Sequence, residues 1–186
     1  MSTSHACPVW VGYLLANPFR KLVHSPGRIL GPYVSTGMWT LDVGCATGFF
    51  SLPLARLVGA SGRVICVDVQ PKLLEALRRR ARRAGLAERL DVRLGGLHPL
   101  IADGLDGRVD FALAFAVVHE VDDSGALFSD VYALLKSGGQ LLVAEPKGRV
   151  PEEEFVKTVH AAKTTGFAQV STPCIAGTRA VLLSKG

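Results

Sequence analysis

Two carboxylates, one glycine-marked turn and a histidine–glutamate step are the parts of this sequence best equipped for reactivity or binding. Asp42 closes the apolar start of L-D-V-G-C-A-T-G-F-F (41–50), in which Gly44 and Gly48 stand four apart. Glycine there lets another molecule approach main chain that a Cβ would otherwise shield. A carboxylate at the mouth of the same turn repels phosphate and attracts a cation. Asp68 ends V-I-C-V-D (64–68), twenty residues after Gly48, where an acidic side chain can accept hydrogen bonds from both hydroxyls of a ribose. Its simpler role is a capping carboxylate ahead of Pro71. His119 and Glu120 follow F-A-L-A-F-A-V-V (111–118) and are suited to moving a proton; the plainer reading is a structural histidine at a helix start. Cys45 lies in the turn, but no clear base stands near it in sequence, so it reads as a small turn residue and not as a nucleophile.

The turn spacing separates two ligand classes. A dinucleotide fingerprint wants G-x-G-x-x-G with a pyrophosphate on the following helix. Here the pattern is Gly44, Ala46, Gly48, and bulky Phe49 takes the place of the third glycine. With Asp42 at the mouth, a nucleoside that is itself a cation fits better, such as a sulfonium nucleoside bearing an ammonium group. A nucleoside is indicated and a phosphate is not needed.

These residues sit at the ends of apolar runs that alternate with helical patterns. Strands are expected at Trp39–Val43, Arg63–Asp68, Asp91–Leu94, Val109–Phe115 and Gln140–Glu145. Strand and helix alternating in this way predict a parallel sheet wrapped on both faces. The helix after the second strand is opened by Pro71, carries Leu73, Leu74, Leu77, Ala81 and Ala84 as its apolar stripe, and stops at Gly85. A later helix presents Leu127, Val131, Leu134 and Leu135 and is expected to stop at Gly138-Gly139, just before Q-L-L-V-A-E. Pro53 leaves two readings: a helix beginning near Ser51, or one bent in its first turns. After the helix F-V-K-T-V-H-A-A-K-T-T-G-F, the strands A-Q-V-S-T-P and R-A-V-L-L-S-K are too close for a crossover helix and should run antiparallel.

With 186 residues, 48% apolar and 20% charged, the chain suits a single domain, 1–186. Its longest apolar run, 111–118, is too short to span a bilayer and suits a strand buried on both faces. The N-terminal V-W-V-G-Y-L-L-A precedes P-F-R-K, the reverse of a signal peptide's charge order. The four cysteines, Cys7, Cys45, Cys66 and Cys174, form no CxxC pair, so no metal site or disulfide framework is expected and a reducing cytoplasm fits. The 21 basic against 16 acidic residues give +5, concentrated in R-R-R-A-R-R (78–83); this run reads first as the solvated face of a helix and second as a contact for nucleic acid or an acidic partner.

Four segments in order, D-V-G-C-A-T-G, V-I-C-V-D, D-F-A-L-A-F-A-V-V-H-E-V and L-L-K-S-G-G-Q-L-L-V-A-E-P, resemble the successive motifs of class I methyltransferases that use S-adenosylmethionine. The resemblance runs from about Gly31 to the C-terminus. It implies an α/β, Rossmann-like doubly wound sandwich whose mostly parallel seven-stranded sheet ends in an antiparallel C-terminal strand pair. It also implies a role for each matching position. Asp42, Gly44, Cys45, Ala46 and Gly48 would surround the methionine part of the cofactor, with backbone groups meeting its ammonium and carboxylate. Asp68 would hold the ribose and Val69 would press on the adenine. Gly95, Gly96 and Leu97 would border the adenine edge, and Phe115 and Ala116 would lie beside the sulfonium. Many relatives carry an aspartate where this chain has Gly96, which leaves the adenine amino group to backbone or water.

Methyl transfer from a sulfonium is an in-line displacement that gains most from alignment and exclusion of water. For an acceptor that must lose a proton, His119 is the candidate general base and Glu120 the candidate to orient it or to hold a cationic acceptor. The [ND]-P-P-[YF] motif of enzymes that methylate base amines is absent from its usual place, where this chain has F-A-V-V. The only downstream Pro-Cys, Pro173-Cys174, is near the last strands and not where enzymes that methylate pyrimidine carbon carry theirs. A small-molecule acceptor is therefore expected, on a monomer or homodimer, with residues before Gly31, including Trp10, Tyr13, Phe19 and His24, covering the site or packing on the sheet or a second subunit. Two alternatives stand beside it: a non-catalytic binder of the cofactor, and an RNA or protein methyltransferase using the arginine helix.

Overall fold

The computed structural model describes residues 25–95 and 104–186. Gly96, Leu97 and the N-terminal residues Trp10, Tyr13, Phe19 and His24 lie outside them, as does the expected cover over the site. The elements are α1 (Pro26–Leu30), β1 (Trp39–Val43), α2 (Ser51–Leu57), β2 (Arg63–Asp68), α3 (Pro71–Arg83), β3 (Leu90–Leu94), β4 (Val109–Phe115), α4 (Ser124–Leu134), β5 (Leu135–Pro146), α5 (Glu152–Thr165), β6 (Phe167–Ser171) and β7 (Thr178–Lys185). Short 3₁₀ turns precede β3 (Ala87–Arg89) and follow β4 (Val118–Glu120).

The seven strands form one sheet in the order β3-β2-β1-β4-β5-β7-β6. β1 pairs in parallel with β2 (Asp42 opposite Cys66) and with β4 (Asp42 opposite Leu113), and β4 pairs in parallel with β5 (Phe115 opposite Ala144). β7 runs antiparallel to both β5 and β6, as the short link between the last two strands requires. Strand order therefore reverses between β1 and β4, the place where an open sheet of this kind leaves a crevice beyond its carboxyl ends.

Alternation along the strands supplies two cores. Val64, Cys66, Phe111, Leu113 and Phe115 pack with Leu54, Leu74 and Leu77 of α2 and α3 on one face. Leu41, Val43, Ile65, Val67, Ala112 and Ala114 pack with Leu127, Phe128 and Val131 of α4 on the other. Each large side chain fully buried in this way, such as Phe111 or Phe128, contributes about 1.5–3 kcal/mol relative to exposure. Local signals agree with the packing. Pro71 opens α3, and Gly85, at φ +65°, follows its end. Asp123 caps α4 by accepting from the Ala126 N–H at 2.9 Å. α5 begins with Glu152, Glu153 and Glu154, whose charge suits the positive end of the helix dipole.

Pro53 falls inside the first turn of α2, which begins at Ser51; there its missing N–H has no helical partner to lose, so no bend is needed. Three expectations need correction. The helix over 124–134 does not reach Gly138-Gly139: it ends at Leu134, and Leu135 is already extended, opposite Val109 in the sheet. Ala84 is exposed, and Ala76 joins the buried stripe instead. Finally, Arg78, Arg79, Arg82 and Arg83 of R-R-R-A-R-R are exposed, as a solvated face requires, but Arg80 is half-buried and donates to the Thr47 carbonyl and hydroxyl, while the exposed Arg78 donates to the Val92 carbonyl at 2.8 Å.

Candidate active site

The turn after β1 is lashed to the end of β2. Cys45 N–H donates to the Val67 carbonyl at 3.0 Å, and Ala46 N–H donates to Asp68 Oδ2 at 2.9 Å. Gly44, Ala46 and Gly48 all have positive φ, at 66°, 46° and 86°. That conformation is easy for glycine and strained for alanine, and such strain is a feature of sites where the surrounding structure fixes the backbone. The glycines also let neighbouring side chains come close to the turn. A Cβ on Gly44 would stand 2.6 Å from Val117 Cγ2, and one on Gly48 would strike Leu77 Cδ1. Protein fills both spaces, so the freedom the glycines give is used for turning and for close packing against the β4 loop and α3.

Asp42 and Asp68 are both buried, at 3% and 8% exposure. Asp42 Oδ2 accepts from the Ser51 hydroxyl at 2.5 Å, tying β1 to the start of α2. Burial pushes its pKa up to about 7; the Ser51 bond opposes that, and the nearby Asp68 charge adds to it. Asp68 Oδ1 accepts from Gln70 N–H at 2.8 Å while Oδ2 holds Ala46. Its pKa too is raised by burial, with these backbone bonds opposing. The Val69 backbone N–H also bears on this carboxyl group, which of its roughly four acceptor sites still keeps spare capacity. Among the described residues neither carboxyl group has a basic partner within ion-pair distance. Two such groups under one turn, one with spare acceptor positions, form a donor set that fits a cationic nucleoside and not a phosphate.

The rim opposite is formed by the end of β4. Phe115 is buried against Phe50, with ring centroids 4.6 Å apart, so its side chain belongs to the core. Ala116 has φ +56° and donates its N–H to the Ala144 carbonyl at 2.7 Å. The chain then turns, and His119 Nδ1 lies 2.5 Å from Oε2 of Glu145, near the end of β5. Glu145 Oε1 accepts from Val117 and Val118 N–H at 3.2 and 2.8 Å. The hydrogen bond to Glu145 raises the His119 pKa, with burial opposing. Glu120, expected to orient His119, instead has Oε1 3.8 Å from the other ring nitrogen, Nε2, and 3.9 Å from Arg149 Nη1. The contact at Nδ1 is made by Glu145.

The structure thus gathers Asp42, Gly44, Cys45, Ala46, Gly48, Asp68, Val69, Gly95, Phe115, Ala116, His119 and Glu120 at the carboxyl ends of β1 to β4, with Val69 open to solvent at 58% exposure. Gly95 N–H donates to the Asp68 carbonyl at 3.0 Å, which brings the end of β3 to the same edge. Cys45 is buried, and desolvation lifts its thiol well above the ordinary cysteine range, the reverse of what a nucleophile needs. Ser51, Arg80 and Glu145 were not anticipated. The acidic end of the apolar run Q-L-L-V-A-E was the one available signal for Glu145, since a carboxyl group closing a buried strand needs a partner at its tip.

A family model for a methyltransferase domain matches residues 35–178. The chain is 28% identical to a carboxy-S-adenosyl-L-methionine synthase of Dichelobacter nodosus over 144 residues, 77% of this chain and 59% of that protein. It is 32% identical to a ubiquinone biosynthesis O-methyltransferase of Methylocella silvestris over 139 residues, 74% of this chain and 52% of that protein. The chain therefore spans about half the length of these curated relatives. Its fold is that of a SAM-dependent methyltransferase from Aquifex aeolicus, with a TM-score of 0.85 over 97% of this chain and 100% of that one at 21% identity.

Proposed function

The chain belongs to the methyltransferase-domain family, and from that membership we propose that it transfers the methyl group of S-adenosylmethionine to a small-molecule acceptor, leaving S-adenosylhomocysteine. The observation that carries this reading is the pair of buried carboxyl groups, Asp42 and Asp68, which have no basic partner among the described residues and lie under the strained turn at the point where strand order reverses. The donor supplies an activated methyl on a sulfonium. Asp68 receives the ribose hydroxyls on its remaining acceptor capacity, and Val69 and Gly95 border the adenine. The main chain of Gly44, Cys45, Ala46 and Gly48 meets the amino-acid end, and Asp42 supplies negative charge behind it. Phe115 and Ala116 border the methyl through their backbone, and the loop that carries His119 forms the acceptor side.

A small acceptor is favoured over RNA because Arg78 and Arg80 are engaged with backbone carbonyls and the curated relatives include one named for ubiquinone biosynthesis. Cytoplasmic residence goes with four cysteines that form no CxxC pair. Calorimetry with S-adenosylmethionine, S-adenosylhomocysteine and NAD tests the first step: binding of the first two and not the third is expected, and indifference to the methyl donor would overturn the reading. Tritiated methyl should then pass into a metabolite extract and not into RNA or protein fractions. A chain that binds the donor yet labels none of these is a non-catalytic binder.

A further inference from the structure

Binding a methyl donor makes no use of the His119–Glu145 pair. Glu145 is 1% exposed; the Val117 and Val118 N–H groups converge on its Oε1, and the His119 Nδ1 atom lies 2.5 Å from its Oε2. A buried carboxylate is tolerated only when its acceptors are satisfied. The two backbone bonds fix the β4 rim against β5, and the third bond fixes a side chain. With the Nδ1 proton directed at Oε2, the neutral imidazole has its lone pair on Nε2. The ring is 21% exposed, and it sits two residues beyond Val117, whose methyl group occupies the space over Gly44. The imidazole therefore belongs to the same loop that packs on the turn, with Glu120 Oε1 3.8 Å from its Nε2.

We propose that Glu145 is the positioning residue that fixes the His119 tautomer, leaving Nε2 to take the proton of a hydroxyl acceptor, so that the acceptor is an alcohol or phenol. This deepens the methyltransferase reading and rests on it. In the step, the acceptor O–H proton passes to Nε2 and the O–C bond forms as the donor C–S bond breaks. The sulfur keeps the electron pair as a neutral thioether, and the imidazolium returns its proton to water. A soft acceptor with no proton to lose would leave this arrangement without a task. The charged groups facing the ring are Glu145 from β5, Glu120 from its own turn and Arg149 from the loop after β5. Glu145 raises the pKa of the ring; burial and Arg149 oppose it, and Glu120 adds to it. Transfer should therefore rise with pH through a midpoint above that of an ordinary histidine.

The test uses the full chain and begins with the His119 ring nitrogens by ¹⁵N NMR. Neutral wild-type His119 should carry its proton on Nδ1. Glu145→Gln, whose amide N–H would face Nδ1, should move the proton to Nε2 and lower the midpoint by about one unit. A wild-type proton on Nε2, or a tautomer and midpoint unmoved by Glu145→Gln, overturns the assignment; if that variant does not fold, the wild-type tautomer decides. The transfer arm uses the metabolite extract with tritiated donor. The labelled product should be a methyl ether, Glu145→Gln and His119→Gln should each slow its formation about 100-fold or more with donor affinity retained, and the double variant should lose little more. Methyl found on sulfur, nitrogen, carbon or arsenic overturns the acceptor class. A wild-type chain that binds no donor overturns the methyltransferase reading and the acceptor class with it, while NMR still judges the role of Glu145 separately.

Discussion

A carboxyl group buried on β1 beside a second one makes Asp42 a pH-sensitive residue of the fold. Its pKa rises from 3.8 to about 7, chiefly through burial. A folded state that holds a proton more tightly than the unfolded chain gains stability that is fully present below the unfolded pKa and lost as pH rises through the folded one. For Asp42 that window runs from about pH 4 to about pH 7, and the loss across it is on the order of 4 kcal/mol. Asp42→Asn, which keeps an oxygen for the Ser51 hydroxyl, should flatten this fall, as read by urea midpoints at a series of pH values. His119 has the same sign in a later window: its contribution is present below pH 6.5 and lost as pH passes its raised folded value. Thr40 is a simpler case. Its hydroxyl is buried with no partner among the described residues, so Thr40→Val removes an unmet polar group at constant shape. It should raise stability by up to about 1 kcal/mol in thermal melts.

At the scale of elements, α3 holds the candidate site together from behind. Leu77 fills the space over Gly48, and Arg80 donates to Thr47 in the same turn. Gly48→Ala meets both a positive φ and the Leu77 side chain, and should cost about 2 kcal/mol or more by chemical denaturation. Leu77→Ala added to it should relieve the clash but not the backbone strain, a coupling that a double-mutant cycle resolves. Arg80→Ala should lower both stability, by about 1 kcal/mol, and affinity for the donor in calorimetry, while Arg82→Ala on the exposed side should change neither. Some of this was legible in the sequence, because strand ends follow from apolar runs and turns from glycine. The over-long α4 reading arose because Leu127, Val131, Leu134 and Leu135 keep helical spacing past the true end; pairing of Leu135 with Val109 overrides that local pattern. The His119–Glu145 contact was invisible for a different reason. The two residues are 26 positions apart, and only the parallel pairing of β4 with β5 brings their tips together.

For the molecule as a whole, the candidate site lies on the tips of β1, β2 and β4, on both sides of the point where strand order reverses; the Ala46–Asp68 bond ties the tips of β1 and β2 in one half of the sheet, and the Val118–Glu145 bond ties those of β4 and β5 in the other. A ligand seated there binds both halves at once and only in the folded state. At 100 times its dissociation constant it should add about 2.7 kcal/mol to stability, a rise in melting temperature of roughly 5–10 °C for a chain of this size. The charge of the ligand adds a condition. A cationic donor favours the ionised forms of Asp42 and Asp68, both of which burial holds toward the protonated form, so binding should expel a proton below about pH 7 and tighten as pH rises. The melting shift given by S-adenosylmethionine should therefore grow between pH 6 and pH 8. Calorimetry near pH 6 should give apparent heats that depend on the ionisation heat of the buffer, and S-adenosylhomocysteine, which lacks the sulfonium charge, should show the weaker dependence. Asp42→Asn should suppress most of the proton release while leaving a melting shift in place. Release undiminished in that variant would mean that Asp42 is a structural carboxyl group that the donor's charge does not reach.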